Sequence, residues 1–169
     1  ATAGGIQALR NWQDVAEMAS VVYASPQYLE TLATSTPISH HVPVDFELRG
    51  CPVNKRQLVE VVVAFLHRRK PLVANHSVCV ECKLKGNICV LNAYNLPCMG
   101  PVTNAGCGAL CPSFSRGCYG CFGPMPYANT PALAAQLGRM GVAKEGLVRA
   151  FRSFNAGASA FAEESRKHE

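Results

Sequence analysis

Eight cysteines lie within forty-three residues of this chain and constrain its fold more than any other feature. They form two consecutive groups of four, spaced Cys-x2-Cys-x6-Cys-x8-Cys and then Cys-x3-Cys-x6-Cys-x2-Cys. The first quartet is Cys79, Cys82, Cys89 and Cys98, and the second quartet is Cys107, Cys111, Cys118 and Cys121. A tetrahedral thiolate site uses four sulfurs. The pattern therefore predicts two metal sites in series.

The ninth cysteine, Cys51, stands apart in a Gly-Cys-Pro turn. Apolar and polar residues alternate over 42–48, which predicts a strand with one buried face. After the turn, Asn54 is predicted to cap a helix that ends before Pro71. Such strand–turn–helix units are typical of α/β layers, and ligands in open α/β sheets bind at the carboxyl ends of strands. Cys51 is therefore a candidate metal ligand.

The chain divides into three parts. Residues 1–71 are predicted to be α/β, and residues 72–127 form a loop-rich segment with both quartets and much glycine and proline. Residues 128–169 are predicted to be a helical tail, in which Thr130 can cap the first helix before Gly141 ends it. Size allows one domain, or a small domain with an extension.

Composition limits the partners of the chain. Charged residues make up 16% and the formal net charge is +5. Anionic thiolate-bound clusters would offset that charge, so nucleic acid is not expected as a partner. The longest apolar run, 61–66, is far shorter than the roughly 20 residues of a membrane span. Paired Cys-x2-Cys motifs suit chelation better than disulfides, which favours a reducing compartment and a cytoplasmic location.

Spacing and glycine content bear on which metal the quartets bind. Zinc ribbons use two Cys-x2-Cys knuckles with a longer spacer, whereas the intervals here are wide and unequal. Glycines near the thiols let backbone N–H groups approach cluster sulfurs. Iron–sulfur clusters are the preferred interpretation. A two-zinc structural module that binds nucleic acid or protein stays open as an alternative of a different class.

Two clusters in series indicate electron transfer. No residue pattern resembles a nucleophile or an acid–base pair, so no catalytic residue is predicted in this chain. His76 precedes the first quartet as His-x2-Cys, but four cysteines already complete that set. Arg116 is a candidate for tuning cluster charge or contacting a partner.

The residues around the thiols resemble a known family. The stretches 79–89, 97–112 and 118–121, with the motifs Pro-Cys-x-Gly-Pro and Cys-x-Gly-Cys, resemble the small subunit of cytoplasmic [NiFe] hydrogenases. The similarity is greatest to the delta subunits of NAD(P)-linked enzymes, also called sulfhydrogenases. It runs from residue 1 to about 125 and does not extend to the tail.

This resemblance implies a fold and a set of cofactors. Residues 1–71 would be the C-terminal part of a flavodoxin-like domain whose first part this chain lacks. The first quartet would hold a distal 4Fe–4S cluster, and the second quartet would hold a medial one. Cys51 would be the last ligand of a proximal cluster, whose other three cysteines lie upstream in the family. The chain is therefore expected to encode two complete sites and part of a third.

The resemblance also implies a function and partners. Electrons from H2 oxidation at a large-subunit Ni–Fe site would pass through these clusters to Fe–S/flavin diaphorase subunits that reduce NAD(P). A close alternative changes only the acceptor, to a deazaflavin cofactor or a heterodisulfide reductase. The chain would then be a subunit of an oxidoreductase complex, without itself activating H2.

Overall fold

The structure, a computed structural model, describes residues 2–169 as short helices joined by long loops. Three 3₁₀ segments span Thr2–Trp12, Pro26–Tyr28 and Ile38–His40. The α-helices are α1 (Val15–Val22), α2 (Lys55–Leu66), α3 (Val78–Leu84), α4 (Val90–Ala93), α5 (Leu110–Ser113), α6 (Thr130–Arg139), α7 (Lys144–Phe151) and α8 (Ser159–Arg166). No helix in this described part is long and apolar enough to cross a membrane.

The strand predicted over 42–48 is not formed. Within residues 2–169 the β-type pairing consists of three isolated bridges, Gly50 with Val53, Ser77 with Asn104 and Thr103 with Pro124. A strand is stabilised by hydrogen bonds to a neighbouring strand, and the described chain places none beside 42–48. The described part is helical and loop-rich, and it does not build the sheet expected of an α/β domain.

Helix α2 follows the prediction closely. Asn54 caps it, because its Oδ1 accepts hydrogen bonds from the backbone N–H groups of Arg56 and Gln57. The predicted apolar face is largely uncovered, however, and only Ala64 of the helix is buried in the described chain. Phe65 makes an edge-to-face contact with Phe46, with ring centroids 6.4 Å apart. Helix α2 is thus formed by local sequence and weakly held by tertiary packing.

The main core joins the helical tail to the cysteine loops. Phe151 of α7 and Phe161 of α8 are fully buried and meet edge-to-face, with centroids 5.8 Å apart. The same buried cluster contains Leu137 of α6 together with loop residues Met99 and Val102. Burial of such side chains stabilises a fold by roughly 1.5–3 kcal/mol each. The helices of the tail therefore pack against the cysteine loops in one shared core.

The cap of α6 differs from the prediction by one residue. Asn129 caps the helix through a hydrogen bond from the N–H of Ala132 to its Oδ1. Thr130 begins the helix instead, and its buried hydroxyl donates to Oε2 of Glu164 on α8. The predicted capping residue therefore joins two helices of the tail.

Candidate metal centres

The first quartet converges on one cavity. Cys79 and Cys82 lie one turn apart on α3, Cys89 caps α4, and Cys98 follows in the next loop. All four line a narrow cavity of about 30 Å³, closed by Val78, Val90, Leu91, Gly100, Pro101 and Pro112. A group bonded to all four sulfurs needs more room than this. Cysteine side chains have staggered alternatives about χ1, so the sulfur positions can change while the backbone stays fixed.

Burial and mutual repulsion disfavour free thiolates in this quartet. Burial, together with negative charge on the neighbouring Cys98, Cys82 and Cys89, raises the pKa of Cys79 to about 11. Burial also raises the pKa of Cys98, against backbone hydrogen bonds from Cys118 and Gly100 that lower it. Metal cations remove this repulsion, because the thiolate is the ligand form and binding releases the proton. The donor set is thus suited to a metal group.

Gly100 leaves space beside the sulfurs of the first quartet. A β-carbon there would lie 3.2 Å from Sγ of Cys98 and 3.5 Å from Sγ of Cys79. Any side chain would therefore crowd the thiols and any group bound to them. This glycine keeps the sulfur side of the loop open for a ligand.

The second quartet lines a wider cavity of about 300 Å³. Cys107, Cys111, Cys118 and Cys121 share it with apolar neighbours that include Leu110, Pro112, Tyr119, Phe122 and Phe154. Burial raises the pKa of Cys118 to about 12 and that of Cys121 to about 11, and nearby Cys107 and Cys111 also raise the latter. Burial raises the pKa of Cys111 as well, while Arg116 acts in the opposite direction. This set has the same thiol chemistry as the first.

Cys51 lies at the edge of the second cavity. It is exposed, and its backbone makes a hydrogen bond that lowers the pKa of Cys121, whereas its thiol charge raises it. The structure thus brings Cys51 next to the second quartet, as a fifth thiol beside a complete set of four. Its assignment to a third site stays a prediction.

The two quartets are in direct contact. The backbone N–H of Cys118, from the second quartet, donates a hydrogen bond to Sγ of Cys98, from the first, over 3.2 Å. Gly120 N–H donates to Sγ of Cys118 over 3.5 Å. Backbone N–H groups aimed at ligand sulfurs are typical of iron–sulfur sites and raise their reduction potential.

A zinc ion and an iron–sulfur cluster need different spacings between their ligand sulfurs. Sulfurs around one zinc ion lie roughly 4 Å apart, because each Zn–S bond is about 2.3 Å. Within residues 2–169 no three His, Cys, Asp or Glu side chains are close enough to bind one ion. A cluster spreads its ligand sulfurs more widely, since each bonds a different iron. The residues are therefore compatible with an iron–sulfur cluster at each quartet.

Other candidates from the sequence lie outside these sites. His76 does not line the first cavity, and its Nδ1 lies 3.2 Å from the carbonyl oxygen of Ser77. Arg116 is exposed and contributes charge near Cys111. Trp12 is half-buried, and the guanidinium carbon of Arg152 lies 3.6 Å from the centroid of its ring.

Several supporting residues escape prediction from the sequence. Glu81 is half-buried and accepts hydrogen bonds from the second-quartet loop. Asn155 and Ser153 of the tail donate to the carbonyl oxygens of Gly120 and Tyr119, between Cys118 and Cys121. For Glu81 the signal was available, because it is the only carboxylate in residues 72–127. Nothing in the sequence near Ser153 and Asn155 indicates their contacts with the second quartet.

Comparison with known proteins identifies relatives. No family model matches the chain. It is 37% identical over 133 residues to sulfhydrogenase 2 subunit delta of Pyrococcus furiosus, covering 79% of this chain and 56% of the relative. It is 31% identical over 105 residues to a subunit of the F420-non-reducing hydrogenase vhu of Methanocaldococcus jannaschii, covering 52% and 36%. It is 30% identical over 129 residues to the iron-sulfur subunit of the F420-non-reducing hydrogenase of Archaeoglobus profundus, covering 60% and 39%.

The matched region spans only about half, or less, of the length of these relatives. The chain therefore belongs to the family of hydrogenase small subunits that includes the delta subunit of sulfhydrogenase 2 and the iron–sulfur subunits of F420-non-reducing hydrogenases.

Proposed function

We propose that this chain is the electron-transfer small subunit of a cytoplasmic [NiFe] hydrogenase. Bound 4Fe–4S clusters would supply one-electron chemistry, relaying electrons from H2 oxidation at a large-subunit Ni–Fe site to an NAD(P)-reducing flavin module. The observation that supports this most directly is the hydrogen bond from Cys118 N–H to Cys98 Sγ. It joins the two quartets, so groups held by them would be close neighbours.

The two cavities support the proposed ligand sets. Cys79, Cys82, Cys89 and Cys98 would hold the distal cluster, and Cys107, Cys111, Cys118 and Cys121 the medial one. Cys51 would be the last ligand of a proximal cluster. Its exposure at the edge of the second cavity supports this role, because it leaves the thiol accessible to ligands from elsewhere.

The acceptor could differ while the ligands stay the same. The relative from Pyrococcus furiosus is named a sulfhydrogenase, which supports the NAD(P)-linked form. The relatives named F420-non-reducing hydrogenases favour the alternative, a heterodisulfide-reductase-linked enzyme, over one that reduces a deazaflavin. The chain's own residues contribute the same two relay sites in either case.

Exposed apolar residues support a partner polypeptide. On α2, Val59 is 61% and Leu66 is 77% exposed, and Val62 between them is also exposed. Apolar surface of this kind is typical of subunit interfaces. We propose that the large subunit, or the remainder of a flavodoxin-like domain over 1–71, covers it, with 72–127 as the iron–sulfur domain and 128–169 as the tail.

Loss of individual cysteines tests the assignment. The anaerobically purified full chain, reduced with dithionite, should give EPR signals from two centres. Cys98→Ala should remove one signal and Cys118→Ala the other, because each variant breaks one quartet. Cys51→Ala is the matched control and should keep both signals. If the Cys98 and Cys118 variants retain both signals, the two-site assignment is wrong.

A further inference from the structure

Glu81 is a carboxylate placed between the two quartets. It is the only acidic residue in 72–127, and it lies on α3 between the first-quartet ligands Cys79 and Cys82. Its side chain is half-buried and reaches the loop of the second quartet, twenty-five residues further along the chain. The residue thus belongs to the helix of the first quartet in sequence, while its carboxylate contacts the loop of the second quartet.

The carboxylate binds the backbone on both sides of Cys107. Oε1 accepts a hydrogen bond from Gly106 N–H over 3.0 Å, and Oε2 accepts one from Ala109 N–H over 3.2 Å. Both donor residues are buried, and Ala109 has a left-handed φ of 50°. Buried N–H groups need acceptors, and Glu81 supplies two of them. The side chain therefore fixes the conformation of the loop that presents Cys107.

The same carboxylate places negative charge beside a ligand sulfur. Oε2 of Glu81 lies 4.0 Å from Sγ of Cys107. As a free thiol, Cys107 can direct its hydrogen towards this oxygen. As a metal-bound thiolate it cannot, and two negative groups then face each other. None of the ion pairs within residues 2–169 involves Glu81, although the Nζ of Lys85 approaches the neighbouring Gly108.

We propose that Glu81 is a positioning residue that orders the Cys107 loop and lowers the reduction potential of the second-quartet centre relative to the first. An electron added to a centre near a fixed negative charge is destabilised, so the oxidised state is favoured there. We expect a weaker effect on the first quartet, because the hydrogen-bonding contacts of this carboxylate within residues 2–169 are with the second-quartet loop and Sγ of Cys107. Electrons arriving at the second centre are then driven towards the first.

This inference rests on the proposed function and adds a direction to it. Glu81→Gln keeps the size of the side chain and one carbonyl acceptor but removes the charge. Glu81→Ala removes both acceptors. Glu163→Gln is the matched control, since it removes the same charge from an exposed position on α8.

The test uses the full chain purified anaerobically with its clusters, and follows each centre by redox titration with EPR detection. The single-centre Cys98 and Cys118 variants identify which signal belongs to which quartet. Glu81→Gln should raise the midpoint potential of the second centre more than that of the first, and Glu163→Gln should change neither. Equal shifts in both centres, or no shift in either, would overturn the redox role.

Hydrogen exchange tests the positioning role separately. In Glu81→Ala, amide exchange in a peptide covering 106–109 should become at least about tenfold faster, because two buried donors lose their acceptor. Unchanged amide exchange in this peptide would show that Glu81 does not order the Cys107 loop. A wild-type chain with no iron would contradict the proposed function instead, while the exchange measurement would still decide whether Glu81 orders the loop.

Discussion

Asn155 Nδ2 donates a hydrogen bond to the carbonyl oxygen of Gly120 over 2.8 Å. Gly120 lies between Cys118 and Cys121, so a buried tail residue fixes the turn that carries two ligands of the second quartet. Ser153 adds a second contact by donating to the carbonyl oxygen of Tyr119 over 3.0 Å. The helical tail is therefore structurally coupled to the second site.

Asn155→Ala should weaken the second site selectively. It leaves the buried carbonyl of Gly120 without its partner, which costs about 1–3 kcal/mol of folding stability. Iron loss on mild chelation should therefore be faster from the second centre than from the first, as followed by EPR. Asn92→Ala, at an exposed position on α4, is the control. Equal loss from both centres would show that the tail does not support the second site in particular.

Gly117→Ala should disrupt the contact between the two quartets. A β-carbon at Gly117 would overlap the carbonyl oxygen of Pro97, which is backbone and cannot rotate away. The loops that carry Cys98 and Cys118 must therefore separate, and overpacking of this kind costs about 1–3 kcal/mol. Both centres should bind less iron.

Gly138→Ala on α6 is the matched comparison for Gly117. A β-carbon there meets no atom within 4 Å, and alanine favours helix by up to about 1 kcal/mol. That variant should be as stable as the wild type or more so, by urea unfolding. A Gly117→Ala variant with full iron content and wild-type stability would show that the loops of Cys98 and Cys118 do not need to approach closely at Gly117.

Trp12 reports on contact between the N-terminal segment and the tail. It is the only tryptophan, and Arg152 covers its ring while also donating through Nε to Ser165 Oγ over 3.1 Å. Arg152→Leu removes a cation–π contact of about 0.5–1 kcal/mol. Tryptophan emission from the iron-free chain should shift to longer wavelength as the ring becomes more hydrated. Arg139 is exposed on α6, so Arg139→Leu should leave the emission wavelength unchanged. An Arg152→Leu variant with unchanged emission would contradict the contact between Arg152 and Trp12.

Glu164 should make the tail sensitive to acid. Burial raises the pKa of this carboxyl, but hydrogen bonds from Lys167, His168 and Thr130 outweigh burial, so its pKa lies below the ordinary value of 4.5. A carboxyl with a lowered folded-state pKa stabilises the fold above its unfolded-state pKa. That contribution disappears as the pH falls through the folded-state value.

The measurement is urea unfolding of the wild type and of Glu164→Gln, followed by circular dichroism from about pH 7 to about pH 3. At neutral pH the variant should be about 1–3 kcal/mol less stable, because charged hydrogen bonds are lost from a buried site. The difference should shrink in acid. A difference that stays constant across this range would show that ionisation of Glu164 does not stabilise the tail.

The sequence predicted those features that depend on residues close together in the chain, such as the cysteine spacing and the cap of α2. The cysteine spacing predicted two sets of four thiols, and each set lines its own cavity. Asn54 marked the start of α2, since a cap uses only the next three residues. The pairing of 42–48 depends on a neighbouring strand, so its alternating pattern alone could not decide whether a strand forms.

Contacts between residues far apart in the chain could not be predicted from the sequence. Glu81 stands out as the only carboxylate in residues 72–127, but nothing nearby in the chain indicates that the N–H groups of Gly106 and Ala109 come within its reach. The contacts from Ser153 and Asn155 join residues 34 and 35 positions apart. Their side chains are ordinary surface or capping types, and only the packing of the tail helices gives them a role at the second quartet.

Metal and sulfide analysis of the anaerobically purified full chain tests the central claim most directly. If both quartets hold four-iron clusters, the chain should contain about eight iron atoms and about eight labile sulfides, with a brown charge-transfer absorption. A colourless chain with about two zinc ions and no labile sulfide would contradict an electron relay, and would indicate a structural zinc protein instead.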